Sequence, residues 1–140
     1  YEGQAAIELE QLARGAGDEP LGYPLEMRDR VIQVAPMWSA LLDDLAAGVD
    51  KARIAARFHN GLAAAICGCA GQLCAEHSLD AVALSGGVFQ NRTLFAAVQQ
   101  GLEDRQLKVL SHSQVPSNDG GIALGQALIG AARMLRPTTD

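Results

Sequence analysis

Aromatic residues are scarce, at 4% of a 140-residue chain that is 49% hydrophobic. Ala, Leu, Val and Ile must fill the core, and side chains this small suit closely packed helices. A basic excess is missing as well. The net charge is −5 and the pI about 5.1, which argues against a nucleic-acid role. No apolar run reaches the ~18–20 residues that a membrane-spanning helix needs, and no signal-peptide pattern opens the chain. Cysteine is limited to Cys67, Cys69 and Cys74. An odd count without a secretory signal points to reduced thiols and a cytoplasmic location. At about 100° per residue on a helix, Cys67 and Cys74 share a face while Cys69 points away. The three cannot converge on one ion and read as small buried residues. A start methionine is also absent, and the first residues already look helical, which reads as a piece of a longer chain. At this length a single domain buries roughly 70% of its unfolded-chain surface.

Periodicity then divides the chain at about residue 80. The first part, 1–80, is mostly helical. Gln4 to Arg14 carries Ala5, Leu9, Leu12 and Ala13 on one face, and Gly15-Ala16-Gly17 ends it. Leu25–Met27 and Val31–Val34 suggest a short hairpin around Arg28-Asp29-Arg30. Pro36 suits the first turn of a helix to about Ala47, with Trp38, Leu41, Leu42 and Leu45 as its apolar stripe. Asp50 is a candidate N-cap for a long helix from Lys51 to about Glu76. Ile54, Phe58, Leu62, Ala65, Cys69 and Leu73 track one side of it. Gly61, Gly68 and Gly71 each cost about 1 kcal/mol of helix propensity relative to Ala and are expected where another element comes close.

The second part, 81–136, reads strand–loop–helix–strand–loop–helix. Ala81–Leu84 fits a buried parallel strand. Ser85–Gln90 leads to a helix from Arg92 to Glu103 capped by Asn91. Leu107–Leu110 is a second strand and Pro116–Gly121 a polar turn. Ile122 to Leu135 is the last helix, with Leu124, Leu128, Ala131, Ala132 and Leu135 inward, and Pro137 ends it. Alternating helices and parallel strands signal an α/β layer fold.

Two loops have the composition for chemistry. In Leu84-Ser85-Gly86-Gly87-Val88-Phe89-Gln90-Asn91, glycines after a strand allow close approach of an anion, and the following helix N-terminus offers unpaired N–H groups. The loop lacks the Gly-Lys-Ser/Thr of a Walker A motif and the G-x-G-x-x-G dinucleotide spacing, and spacing alone favours a plain tight turn over an anion site. In Pro116-Ser117-Asn118-Asp119-Gly120-Gly121, Asp119 has three readings: N-cap or Asx-turn residue, ligand of a hard divalent cation, or general base. In a doubly wound topology both loops lie at one sheet edge. An anion loop and a carboxylate on one rim suit a metal–nucleotide site. His59, His77 and His112 read as packing or surface groups, and Ser85 has no evident base partner, which weakens a serine-hydrolase reading.

Three separated stretches carry a resemblance. Tyr1–Glu10, Leu84–Arg92 and Asn118–Ala127, together with Ala56-Arg57-Phe58-His59, resemble the C-terminal region of HypF-type hydrogenase maturation carbamoyltransferases, similar in turn to tRNA threonylcarbamoyl-transfer proteins. The resemblance implies an actin-like, ribonuclease-H-like ATPase fold, here the C-terminal lobe with a mixed sheet flanked by helices. It implies formation of carbamoyl adenylate from ATP and carbamoyl phosphate. The carbamoyl group then passes to the C-terminal cysteine of a HypE-type partner, for the cyanide ligands of nickel–iron hydrogenases. By the same resemblance Ser85, Gly86, Gly87 and Asn91 belong to the nucleotide site, Asn91 contacting the nucleotide or capping the helix. Asp119 would ligate a divalent metal (Mg, Zn or Fe), with the remaining ligands upstream. The attacking thiolate belongs to the partner, so no cysteine of this chain need be nucleophilic. Rival readings are the tRNA-modifying branch, a docking lobe without catalysis, and a sugar or acetate kinase lobe.

Overall fold

The computed structural model describes residues 3–28 and 31–135. The Tyr1-Glu2 start of the first resembling stretch, the Asp29-Arg30 turn and Pro137 lie outside them. Helix α1 (Gln4–Arg14) precedes a two-stranded ribbon, β1 (Glu26–Arg28) and β2 (Val31–Gln33). Helices α2 (Ala35–Ala46) and α3 (Lys51–His77) follow, then β3 (Ala81–Leu84), α4 (Arg92–Glu103), β4 (Lys108–Ser111) and α5 (Ile122–Leu135). The fold is α/β, as expected. Antiparallel and parallel pairing occur in separate ribbons: β1 with β2 antiparallel, and β3 with β4 parallel from Ala81↔Lys108 to Leu84↔Ser111.

Helix α3 is the spine. Asp50 caps it, its carboxylate accepting from the Ala52 amide at 2.8 Å. Helices α1, α2 and α4 and strands β1 and β3 all pack on it. Its buried residues lie all around the helix, among them Ile54, Ala55, His59, Ala63, Cys67 and Cys74, so no single stripe describes it. The largest core patch joins α3 to the β3–α4–β4 unit through Ala63, Cys67, Leu84, Leu94, Val98 and Leu102. Cys67 Sγ lies 3.4 Å from Val98 O, and burial pushes its thiol pKa up. Cys69 turns the other way, its Sγ 3.3 Å from Met27 Sδ.

Gly61 marks the close approach expected of it. The 21–24 segment crosses α3 there, backbone against backbone, and the Tyr23 amide donates to Arg57 O at 3.0 Å. A Cβ on Gly61 would run into the Tyr23 carbonyl oxygen. Gly68 is a correction, since it faces open space, and Gly71 meets only the Arg105 side chain. The crossing is fastened by charge. Arg53 Nε donates to Glu19 Oε2 at 2.8 Å, and Arg57 Nη1 and Tyr23 Oη both donate to Asp44 Oδ2, at 2.7 and 2.6 Å. Burial, then the Asp44 carboxylate, pushes the Tyr23 hydroxyl up to about 12.

Two apolar stripes are corrected. In α2 the inward residues are Met37, Ala40 and Leu41, whereas Trp38, Leu42 and Leu45 are exposed. Helix α5 buries nothing: Leu128 is 62% and Leu135 83% exposed. Its periodicity is that of a packed helix, but among the described residues no element covers it.

Candidate functional site

The two glycine loops leave adjacent parallel strands, and parallel pairing places both at the carboxyl edge of the ribbon. They are tied directly, the Gly86 amide donating to Ser117 O at 2.7 Å. Gly86 has φ +102°, a conformation that L side chains rarely adopt. Gly87 opens a 3₁₀ turn, Gly87–Gln90, beside Asn118 of the second loop. A Cβ on Gly87 would meet only ordinary contact at 3.9 Å from Asn118 Cβ, so the fold itself does not require glycine there. The bonds of the turn begin at the Phe89 amide, which donates to Gly86 O at 3.2 Å. The Gly87 and Val88 amides precede that bond and donate to no other described residue. Gly87, Val88, Gln90 and Asn91 form one wall of a groove of about 360 Å³ whose other wall is α1, with Gly3, Ala6, Ile7 and Glu10.

The α4 N-terminus does not supply the free amides expected of it. Asn91 Oδ1 accepts from the Leu94 amide at 2.8 Å. Glu10, reaching across from α1, accepts from the Arg92 and Thr93 amides at 3.0 and 3.3 Å. The charge that α4 would offer an anion is thus met by a protein carboxylate only 8% exposed. Burial pushes the Glu10 pKa up, but the Thr93 amide, Arg14 and the Arg92 amide outweigh it and hold the carboxyl below its ordinary value.

His59, 2% exposed, completes this clamp. Its Nδ1 lies 2.8 Å from Ala55 O, which only a protonated Nδ1 can satisfy. Nε2 is then the acceptor for Asn91 Nδ2, also at 2.8 Å. One side chain of α3 therefore fixes the amide orientation of the α4 cap. Neither Glu10 nor His59 was a candidate from sequence. The available signal was their place within the resembling stretches Tyr1–Glu10 and Ala56–His59.

In the second loop, Asn118 makes the Asx turn, its Oδ1 accepting from the Gly120 amide at 3.1 Å. Asp119 follows as the first residue of the 3₁₀ turn Asp119–Gly121. Its carboxylate is exposed and bonds to no other described residue, so the capping reading passes from Asp119 to its neighbour. Among the described residues no three His, Cys, Asp or Glu gather as a metal cluster. Ser85 does have a base beside it: His112 Nε2 lies 3.0 Å from Ser85 Oγ. Among the described residues no acid orients that imidazole, so a hydrolase triad lacks its third member there.

These features define a class: an α/β lobe with a glycine turn and an exposed, unengaged carboxylate at one strand edge. The comparisons sharpen it. The family described as the carbamoyltransferase Kae1-like domain, second subdomain, matches residues 1–126, and the chain belongs to that family. Carbamoyltransferase HypF of Rhodobacter capsulatus is 40% identical over 134 residues, covering 96% of this chain and 17% of the relative. A carbamoyltransferase HypF homolog of Cupriavidus necator is 41% identical over 138 residues, covering 93% and 35%. The crystal structure of full-length HypF in its phosphate- and nucleotide-bound form superposes with TM-score 0.85 and 37% identity, over 100% of this chain and 19% of that one. HypF of T. kodakarensis gives 0.84 and 29%, over 96% and 17%. The chain thus spans between 17% and 35% of these two curated relatives. No helix among the described residues is long and apolar enough to cross a membrane.

Proposed function

We propose that this chain is the second subdomain of an actin-like carbamoyltransferase unit within a longer protein. That protein uses ATP and carbamoyl phosphate to make carbamoyl adenylate. It passes the carbamoyl group to the C-terminal cysteine thiol of a HypE-type partner, in the cytoplasm, for the cyanide ligands of nickel–iron hydrogenases. The observation that carries this reading is the Gly86–Ser117 bond joining the two loops, in a chain whose fold matches a HypF solved with phosphate and nucleotide.

Carbamoyl adenylate is a mixed anhydride, so charge grows on the phosphate as the carbamoyl group leaves. The Gly87 and Val88 amides are fixed before that charge appears, and preorganised donors of this kind are the main source of such stabilisation. Ser85 and Gly86 shape the loop. Asn91 holds it against α4 and His59 and keeps one amide hydrogen for the nucleotide. Asp119 is one candidate ligand for a divalent ion. Mg asks for about six ligands and Zn for about four; one carboxylate does not make that site, and the others would come from outside this chain.

Asp119→Ala in the longer protein should abolish transfer to the acceptor thiol while adenylate formation continues. Transfer at the normal rate would remove Asp119 from the site. ADP or AMP release that depends on sugars rather than carbamoyl phosphate would favour a kinase lobe instead.

A further inference from the structure

A second cleft, of about 510 Å³, borders the glycine turn at Phe89 and Gln90. Phe89, Phe95, Val115 and Pro116 give it apolar walls, Arg92 and His112 bring its basic groups, and no acidic residue is among those lining it. Gln90 borders both this cleft and the groove beside Gly87 and Val88. Arg92 is exposed, and its guanidinium makes no ion pair or hydrogen bond with another described residue. The Ser85–His112 pair stands where the cleft reaches the strand edge.

We propose that this cleft receives the end of the acceptor polypeptide, its terminal carboxylate on Arg92 and its thiol at the Ser85–His112 pair. The inference rests on the transferase reading above. A terminal cysteine carries its carboxylate on the same residue as its thiol. Bringing both beside an adenylate phosphate places two anions together, and they repel unless a cation stands between them. Arg92 is such a cation: no acid lines the cleft, and Glu10 bonds the Arg92 backbone amide rather than its guanidinium. In the step itself the thiol proton passes to His112 by way of the Ser85 hydroxyl. Sulfur forms a bond to the carbamoyl carbon, and the carbon–oxygen bond to phosphate breaks, AMP leaving with the electron pair.

The test uses the longer protein and two short peptides ending in cysteine, one with a free terminal carboxylate and one amidated. The wild type should favour the free carboxylate in kcat/KM by on the order of 10- to 100-fold, the range of a charge-assisted hydrogen bond. Arg92→Gln should erase the preference, and Arg92→Lys should restore part of it. His112→Gln should lower kcat by on the order of 100-fold and leave the preference and adenylate formation intact. An Arg92→Gln protein that still prefers the carboxylate, or a wild type with no preference, overturns the Arg92 assignment. Unchanged kcat in His112→Gln overturns the place of the thiol. Transfer to neither peptide by the wild type removes the transferase reading, and this inference with it.

Discussion

The two glycine loops share one local plan, strand then 3₁₀ turn then helix, yet they are held in opposite ways. The first is clamped: Glu10 from α1 and His59 from α3, both buried, grip the start of α4 and its cap. The second is held by its own Asn118 turn and by the Gly86 amide, and the helix it starts lies exposed along its length. The same backbone plan can therefore be rigid or loosely supported, depending on side chains contributed from far away in sequence. The clamp also decides which amides stay unbonded: Glu10 takes those of Arg92 and Thr93, while those of Gly87 and Val88 donate to no other described residue.

Breaking the clamp should cost most. His59→Ala removes a buried ring and leaves Asn91 without its partner, and should destabilise the chain by about 2–4 kcal/mol. Urea unfolding measures the loss, and hydrogen exchange should quicken first at the Leu94 amide. Glu10→Gln should cost about 1–2 kcal/mol and change the acid dependence. The folded-state pKa of Glu10 lies below its ordinary value, so its contribution is complete above the ordinary glutamate pKa of about 4.3. It is lost as pH falls through the folded value. Unfolding midpoints should therefore decline less below about pH 4.3 in Glu10→Gln than in the wild type. Asn91→Ala, which removes one cap, should cost about 1 kcal/mol. On the loose side, Asn118→Ala and Leu128→Ser should each move stability by no more than about 0.5 kcal/mol. A cost for Leu128→Ser as large as that for Asn91→Ala would erase the contrast between the loops.

Much of this was legible in the sequence, for physical reasons. Caps and breakers are local, so Asn91, Asp50 and the glycines fixed helix bounds closely, and alternating strands and helices fixed the parallel ribbon. Inward faces were less legible. The stripes of α2 and α5 show which residues are apolar, but not whether anything lies opposite them. The clamp was not legible, because Glu10 and Arg92 are 82 positions apart and no periodicity joins an acid on one helix to the amides of another. Ser85 and His112 likewise meet only because their strands pair in parallel.

Amide-resolved NMR of the 140-residue chain, titrated with ATP and magnesium, tests the joint loop site most directly. The account predicts weak binding, with Kd above the micromolar range. Shift changes should be centred on Gly87, Val88 and Asp119, with little at Leu94. Submicromolar affinity, or changes that spare both loops and fall elsewhere, would contradict it.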